Sequence, residues 1–313
     1  MNTRAITINQ YGGSEGLDEE VVNLPNLKAD QVLVQVKATS INPIDWKLRE
    51  GYLKQMFDWE FPIILGWDVA GIITSVGEGV TDWKVGDRVF ARPATTRFGT
   101  YADYTIVDTT LLAEIPANVS FEDAAAVPLA ALTAYQGLFN HGHLQKNEKV
   151  LIHAGAGGVG TYAIQLAKAY GAKVYTTASK KNHELLYQLG AEKVIDYHDE
   201  NFAKVFSDMD LVLDTMGGTV QEDSVQSLKS NGRLISVLAI SNPDLMTAKN
   251  IAAKAIWLEP NGEELTKLAK MMQAGQLKSI IGAKFPLTAA GVKSAHELSA
   301  THHAVGKIVL INE

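Results

Sequence analysis

The 313-residue chain contains no cysteine. That absence excludes disulfides, thiolate metal sites and cysteine nucleophiles, so redox chemistry, if there is any, has to come from a bound cofactor. No run of 18 apolar residues occurs, which argues against a membrane-spanning helix. The opening MNTRAITINQYGG alternates like a strand and has neither an apolar core nor a small-residue cleavage site. It does not read as a signal peptide, and the expected location is cytoplasmic. Positive charge is in short supply: 28 Lys and Arg stand against 35 Asp and Glu, a formal net charge of -7. Such a balance makes nucleic acid an unlikely partner while leaving room for a local basic pocket that holds one phosphate. Internal repeats, low-complexity tracts and an HExxH pattern are missing too. The eight histidines include the pairs His141/His143 and His302/His303 and a strand residue, His153. None of these spacings points to a metal site.

What is present changes rhythm along the chain. Residues 1–122 carry short β-like runs (RAITI, VLVQVKATS, DVAGIITSVG, DRVFA, YADYTIV) punctuated by glycine and Asx residues, the pattern of a twisted β-rich domain. A serine-capped helical stretch, SFEDAAAVPLAALTAYQGLF, begins at Ser120 and marks the junction. Across 123–260 strands alternate with helices: KVLIHAG, GVGTYAIQLAKAYG, KVYTTAS, HELLYQLG, KVIDY, MDLVLDT. That alternation predicts an α/β, doubly wound domain with a parallel sheet. The remaining 261–313 end in a helix, TAAGVKSAHELSATHH, and a strand, GKIVL, which residue patterns alone assign to either domain.

Gly155, Gly157 and Gly160 form G-x-G-x-x-G between a predicted strand and a predicted helix. In that setting the glycines allow a tight turn, close approach of backbone to a pyrophosphate, and close helix packing, while the helix N-terminus favours anions. The expected cofactor contacts are Gly155, Gly157, Gly158, Val159 and Gly160. Where an acidic residue would bind the ribose 2′-hydroxyl of NAD, the chain has Ser179, Lys180 and Lys181. A hydroxyl and two ammonium groups suit a 2′-phosphate, so NADPH is expected over NADH; the alternative is a pair of ordinary solvated lysines at a helix start. Tyr197, at the end of the third strand, is a candidate for the adenine side. Asp214 reads as a turn or capping carboxylate.

ATSINPIDWKLREG, ILGWDVAGIITSVGEGVTDWKVGDRV, GTYADYTIV, AAVPLAALTAYQGL and HAGAGGVGTYAIQLAKAYGAKV, taken in order, resemble the medium-chain dehydrogenase/reductase superfamily in its zinc-free, zeta-crystallin-like quinone oxidoreductase branch. The resemblance covers essentially the whole chain. It implies a GroES-like β-rich catalytic domain, with the last helix and strand returning to it, and a Rossmann domain between. It also implies NADPH-dependent reduction of quinones or of the activated C=C bond of enones and enals. A homodimer joined through a Rossmann edge strand, here KAIWLEP, is implied as well. In zinc alcohol dehydrogenases of this superfamily a cysteine stands at the position of Asn42, a histidine at Trp67, and a second cysteine near Leu129. Asparagine, tryptophan and leucine do not supply zinc's preferred donors.

Without metal or thiol, the protein must orient the substrate against the cofactor and donate hydrogen bonds to the oxygen on which charge builds. Asn42 is the first candidate, since its amide can donate; the other reading is a helix cap before Pro43. Lys47 stands where better-known bacterial relatives have tyrosine, and Tyr52 nearby is a third candidate. Thr133 is expected at the nicotinamide in family fashion, or else bonds within its own helix. Two other functions stay open at this point: a carbonyl or alcohol dehydrogenase of the same superfamily, and a non-catalytic NADPH-binding sensor.

Overall fold

The computed structural model describes residues 1–312. Two compact units make up the chain, one of Met1–Leu129 with Pro260–Glu313 and one of Ala130–Glu259. In the first unit the strands are β1 (Asn2–Ile8), β2 (Leu17–Asn23), β3 (Gln31–Ile41), β4 (Ile63–Ile64), β5 (Val69–Val76), β6 (Arg88–Ala91), β7 (Tyr104–Asp108) and β8 (Leu112–Glu114). The second unit contributes β9 (Lys149–Ile152), β10 (Lys173–Thr177), β11 (Lys193–Ile195), β12 (Met209–Asp214), β13 (Leu228–Ser236) and β14 (Ala252–Ala255). The chain then returns to the first unit with β15 (Ile281–Pro286) and β16 (Lys307–Ile311).

The first unit is built on β3, the longest strand. Its Val32, Val34 and Val36 are fully buried, and it pairs antiparallel with β5, β7 and β16. A seven-stranded sheet results, beside a three-stranded sheet of order β2-β1-β4. Ile6, Ile63, Trp67, Ile73, Tyr101 and Leu310 fill the core around it. β16 lies against the end of β3, with Ile308 opposite Ile41. The last strand therefore reaches the residues just before Asn42.

Ser120 opens the helix Phe121–Ala125, its hydroxyl accepting from the Asp123 N–H at 3.0 Å. This helix packs on β3 and β5, so it stays with the first unit, and the break falls after Leu129 rather than at residue 122. A local helix start marks a change of element; which core the element joins is decided by its apolar face.

The second unit is a six-stranded parallel sheet of order β11-β10-β9-β12-β13-β14. Strand order reverses between β9 and β12, and in such sheets ligands bind outside the carboxyl ends of the strands at that switch point. The glycine loop follows β9, and Asp214 ends β12. The sheet's edge strand is Ala252–Ala255, slightly earlier than the KAIWLEP run, with Trp257 half-exposed beyond it. Among the described residues no helix is long and apolar enough to cross a membrane.

Candidate active-site residues and dinucleotide cradle

The three motif glycines have two different reasons to be glycine. A Cβ on Gly155 would lie 2.1 Å from the Thr176 hydroxyl of β10, and one on Gly160 would lie 2.4 Å from the Ala154 carbonyl oxygen and 2.7 Å from the Gly155 Cα. Both are dictated by close packing of turn, strand and helix. Gly157 is unlike them: its Cβ would meet only the Ala154 carbonyl oxygen, at 3.2 Å. The protein itself does not need glycine there, whereas a phosphate resting on the helix N-terminus does. Gly157 is the N-cap of the helix Gly158–Tyr170, which contains Val159 and Gly160. This terminus presents backbone N–H groups and a positive dipole end, so the loop fits a dinucleotide.

After β10, Ser179 stands at the N-cap position of the short 3-10 turn Lys180–Asn182 without a side-chain capping bond. Its hydroxyl lies 3.0 Å from the Tyr197 hydroxyl, which joins two of the expected cofactor residues. Lys180 and Lys181 are exposed and make no ion pair among the described residues. Tyr197 is 48% exposed. Asp196, which sequence reasoning passed over, holds this corner together: its carboxylate accepts from the backbone N–H groups of Lys180 (2.9 Å) and His198 (3.0 Å). The His198 bond foremost keeps its carboxyl below the usual range. Thr133 is buried in the helix Pro128–Tyr135. His153 is a buried core histidine with Ser224 and Thr177 hydroxyls at 2.8 and 3.3 Å, and burial pushes it down to about 4. Asp214 accepts from the N–H groups of Met216 and Gly217, closing the turn that leads into the helix Gly218–Ser227.

In the first unit Asn42 follows β3 and precedes Pro43, at the N-cap of the helix Pro43–Arg49 with φ -129° and ψ 153°. Asparagine in extended conformation before proline is a good helix start. It shares a capping box with Asp45, whose carboxylate accepts from the Asn42 backbone N–H at 2.8 Å. The Asn42 side chain has two further partners. Its Nδ2 donates to Asp68 Oδ2 at 2.7 Å, and its Oδ1 accepts from the Lys307 ammonium. A carboxylate only accepts and an ammonium only donates, so these partners also fix which end of the amide is nitrogen. The second amide N–H has no partner among the described residues.

Around this amide lies a largely buried polar cluster. Asp68 also accepts from the Ser40 hydroxyl (2.7 Å) and the Leu129 N–H (2.8 Å), with Lys307 Nζ at 3.5 Å. Burial pushes the Lys307 ammonium below the usual lysine value, against the pull of Asp68 and Asp45. Burial likewise lowers Arg92, which donates to Pro93 and Thr95 and whose Nε has no partner among the described residues. From Asp45 a second chain runs on: Tyr101 donates to Asp45 at 2.8 Å, His296 Nε2 lies 3.3 Å from the Tyr101 oxygen, and Arg49 donates to His296 Nδ1 at 3.2 Å. Arginine can only donate, so His296 carries its hydrogen on Nε2 and is neutral. Burial and then the Arg49 charge push it down to about 3. Burial raises Asp45 to about 7 and Tyr101 well above the usual phenol value.

Lys47 and Tyr52 are brought together at Trp46, and neither side chain is hydrogen-bonded to Asn42 among the described residues. Lys47 Nζ lies 5.6 Å from the Trp46 ring centre, and the Tyr52 ring meets it edge-on at 6.4 Å. Tyr52 is 70% exposed. Missed by sequence reasoning were Asp68, Tyr101, His296 and Lys307, all joined to the Asn42–Asp45 corner by contacts distant in sequence. Only Asp68 had a nearby signal, as a charged residue inside the apolar run GWDVAGII.

The positions that hold zinc in related alcohol dehydrogenases carry a different donor set. Trp67 is fully buried with its ring N–H on the Thr96 carbonyl at 3.1 Å, Leu129 offers its backbone N–H to Asp68, and Asn42 is committed as above. These groups do not fit zinc. Among the described residues no group of three His, Cys, Asp or Glu side chains is placed to hold a metal ion.

Two family profiles match the chain: "Alcohol dehydrogenase GroES-like domain" over residues 28–117 and "Zinc-binding dehydrogenase" over residues 189–310. The chain is 36% identical to the NADPH-dependent alkenal/one oxidoreductase of Arabidopsis thaliana chloroplasts, over 98% of this chain and 79% of that one. The quinone oxidoreductase of Coxiella burnetii superposes with a TM-score of 0.92 at 36% identity, covering 99% of each chain. The Escherichia coli quinone oxidoreductase in complex with NADPH gives 0.85 at 29% identity, over 98% of this chain and 99% of that one. A fold of GroES-like β domain and Rossmann domain with this glycine cradle defines a dinucleotide-dependent oxidoreductase. More particularly, the chain belongs to the medium-chain dehydrogenase/reductase superfamily, in its zinc-free, quinone-oxidoreductase-like branch.

Proposed function

We propose that the protein is an NADPH-dependent oxidoreductase that reduces quinones or the activated C=C bond of enones and enals. The observation that carries the chemistry is the Asn42 side chain, which is held at a helix N-cap by Asp68 and Lys307 and keeps one amide N–H without a partner among the described residues. NADPH supplies the hydride. Gly157 and the helix N-terminus behind it hold the pyrophosphate, and Ser179, Lys180 and Lys181 hold the 2′-phosphate. Asn42 donates to the substrate oxygen as negative charge develops there.

A steady-state assay with purified protein, following loss of reduced-nicotinamide absorbance with a quinone, an enone and a simple ketone, tests the reading. Turnover of quinone or enone is expected, and activity confined to the ketone overturns it. Asn42→Ala is expected to lower kcat roughly 10²-fold, the usual loss when one oxyanion donor is removed, with little change in the KM for NADPH. Unchanged kcat removes Asn42 from the chemistry.

Replacing Lys180 and Lys181 together by glutamate is expected to raise the KM for NADPH at least about tenfold while leaving NADH unaffected or improved. Charge-assisted bonds to a phosphate are worth about 1.5–3 kcal/mol each. Equal loss with both cofactors would show that the two lysines do not read the 2′-phosphate. We read the protein as a homodimer as well, on the strength of edge strand β14, which among the described residues pairs only with β13 and is largely exposed. Sedimentation as a monomer would remove that reading.

A further inference from the structure

Lys307, Asp68 and Asn42 form a closed arrangement that the proposed reaction does not by itself call for. The three hydrogens of the Lys307 ammonium have three acceptors: the Ile41 carbonyl at 2.8 Å, the Asn42 Oδ1, and Asp68 Oδ2 at 3.5 Å. Asp68 Oδ2 in turn takes the Asn42 amide and the Ser40 hydroxyl, while Oδ1 takes the Leu129 N–H. Lys307 is 3% exposed, Asn42 2% and Asp68 not at all.

Burying an ion pair is a poor way to gain stability, since well-packed apolar side chains of similar size do as well or better. What such a pair does supply is direction. Gripped at its oxygen by an ammonium and at its nitrogen by a carboxylate, the Asn42 amide is held against flipping. The ammonium also polarises the amide through its oxygen.

We propose that Lys307, together with Asp68, is a positioning residue for Asn42, holding the amide so that its one uncommitted N–H is available to the substrate oxygen. This rests on the reading of Asn42 as the substrate-facing donor. Lys307 acts through Asn42 and does not itself touch the substrate. The three-point fit of a tetrahedral ammonium also makes lysine the required cation here, because a planar guanidinium offers its hydrogens in a different geometry.

The test is a double-mutant cycle. Removing one charge strands the other, so the perturbation is the charge-neutral pair Asp68→Asn with Lys307→Gln, made in the wild-type protein and in Asn42→Ala. With an enone and NADPH, the pair is expected to lower wild-type kcat by roughly 30-fold with less than about a threefold change in the KM for NADPH, and to have no further effect in the Asn42→Ala background. Loss of the same factor in both backgrounds overturns the proposal, because the pair would then act independently of the amide. If Asn42→Ala keeps wild-type kcat, the reading of Asn42 fails and the proposal with it. If Asn42→Ala loses kcat but the charge-neutral pair does not, the positioning role alone fails.

A second measurement does not depend on turnover. In protein carrying ¹⁵N-asparagine and no cofactor, the Asn42 side-chain amide is expected to give two dispersed, exchange-protected proton signals that lose dispersion and protection in the charge-neutral variant. Unchanged signals overturn the proposal. Should that variant fail to fold, Lys307→Arg keeps the charge and loses the three-point fit. It is expected to melt cooperatively and to show the same loss of kcat, and wild-type kcat in Lys307→Arg overturns the proposal.

Discussion

Gly157→Ala is expected to weaken NADPH binding at least about tenfold while shifting stability by no more than about 1 kcal/mol. The backbone at Gly157 has φ -78°, a conformation open to any residue, and the added methyl would meet only one carbonyl oxygen, at 3.2 Å. The stability change is then the loss of a favoured N-cap residue, on the order of 1 kcal/mol. A phosphate seated on the helix N-terminus, in contrast, has to give up close approach to the backbone. Gly160→Ala is the control with the opposite signature. Its methyl would sit 2.4 Å from the Ala154 carbonyl oxygen, with Gly155 backbone directly behind, so the helix must move off the turn. A loss of about 1–3 kcal/mol is expected, as for other overpacked sites. Denaturant melts and a fluorescence titration with NADPH separate the two effects. Equal destabilisation by both substitutions would mean that Gly157 serves the fold, and the cradle would lose its main structural support.

The second large effect is acid lability. His153 and His296 have folded pKa values depressed to about 4 and about 3 from the ordinary 6.5, so unfolding between roughly pH 6.5 and pH 4 takes up two protons. Asp45 works in the opposite sense. Its folded carboxyl is raised to about 7 from 3.8 and keeps a proton that the unfolded chain has released, so unfolding gives one up across about pH 4 to 7. Two taken up less one released leaves one proton gained on unfolding, and stability should fall by about 1.4 kcal/mol for each pH unit below about 6.5. By pH 4 the cumulative loss is about 3 kcal/mol. Asp196, held low, adds acid sensitivity only below that window. Urea melts at several pH values measure the slope. His296→Gln should flatten it nearly to zero, and an unaltered slope in that variant would clear His296 of responsibility.

The cradle was legible because everything it needs lies within a few residues: strand KVLI, the glycines, then the helix, with Ser179 to Lys181 closing the next strand. Asn42 was legible as a candidate because Asn-Pro after a strand is a local signal. The way its side chain is held was not, since the groups that hold it are 26 and 265 positions away. Lys307 in GKIVL looks like any polar residue at a strand start. Only the pairing of β16 with β3 brings it to Asn42, and register between distant strands leaves no mark in the local pattern. The junction was misplaced for a related reason. A serine cap at Ser120 announces a helix, but the apolar face of that helix chooses its core through contacts with β3 and β5.

The return of residues 260–313 to the first unit bears on the order in which the protein can be made. A nascent chain emerges from the ribosome N-terminus first, and compact units fold as their last residues appear. The continuous second unit has all its strands once Glu259 is out. The first unit must wait, its β3 lacking a neighbour until β16 arrives at Lys307–Ile311. During that interval the Asp68 carboxylate and the Asn42 amide have no ammonium between them. Residues close to the C-terminus thus complete an arrangement begun near residue 40, and a chain released before Lys307 would carry the cradle without a set amide.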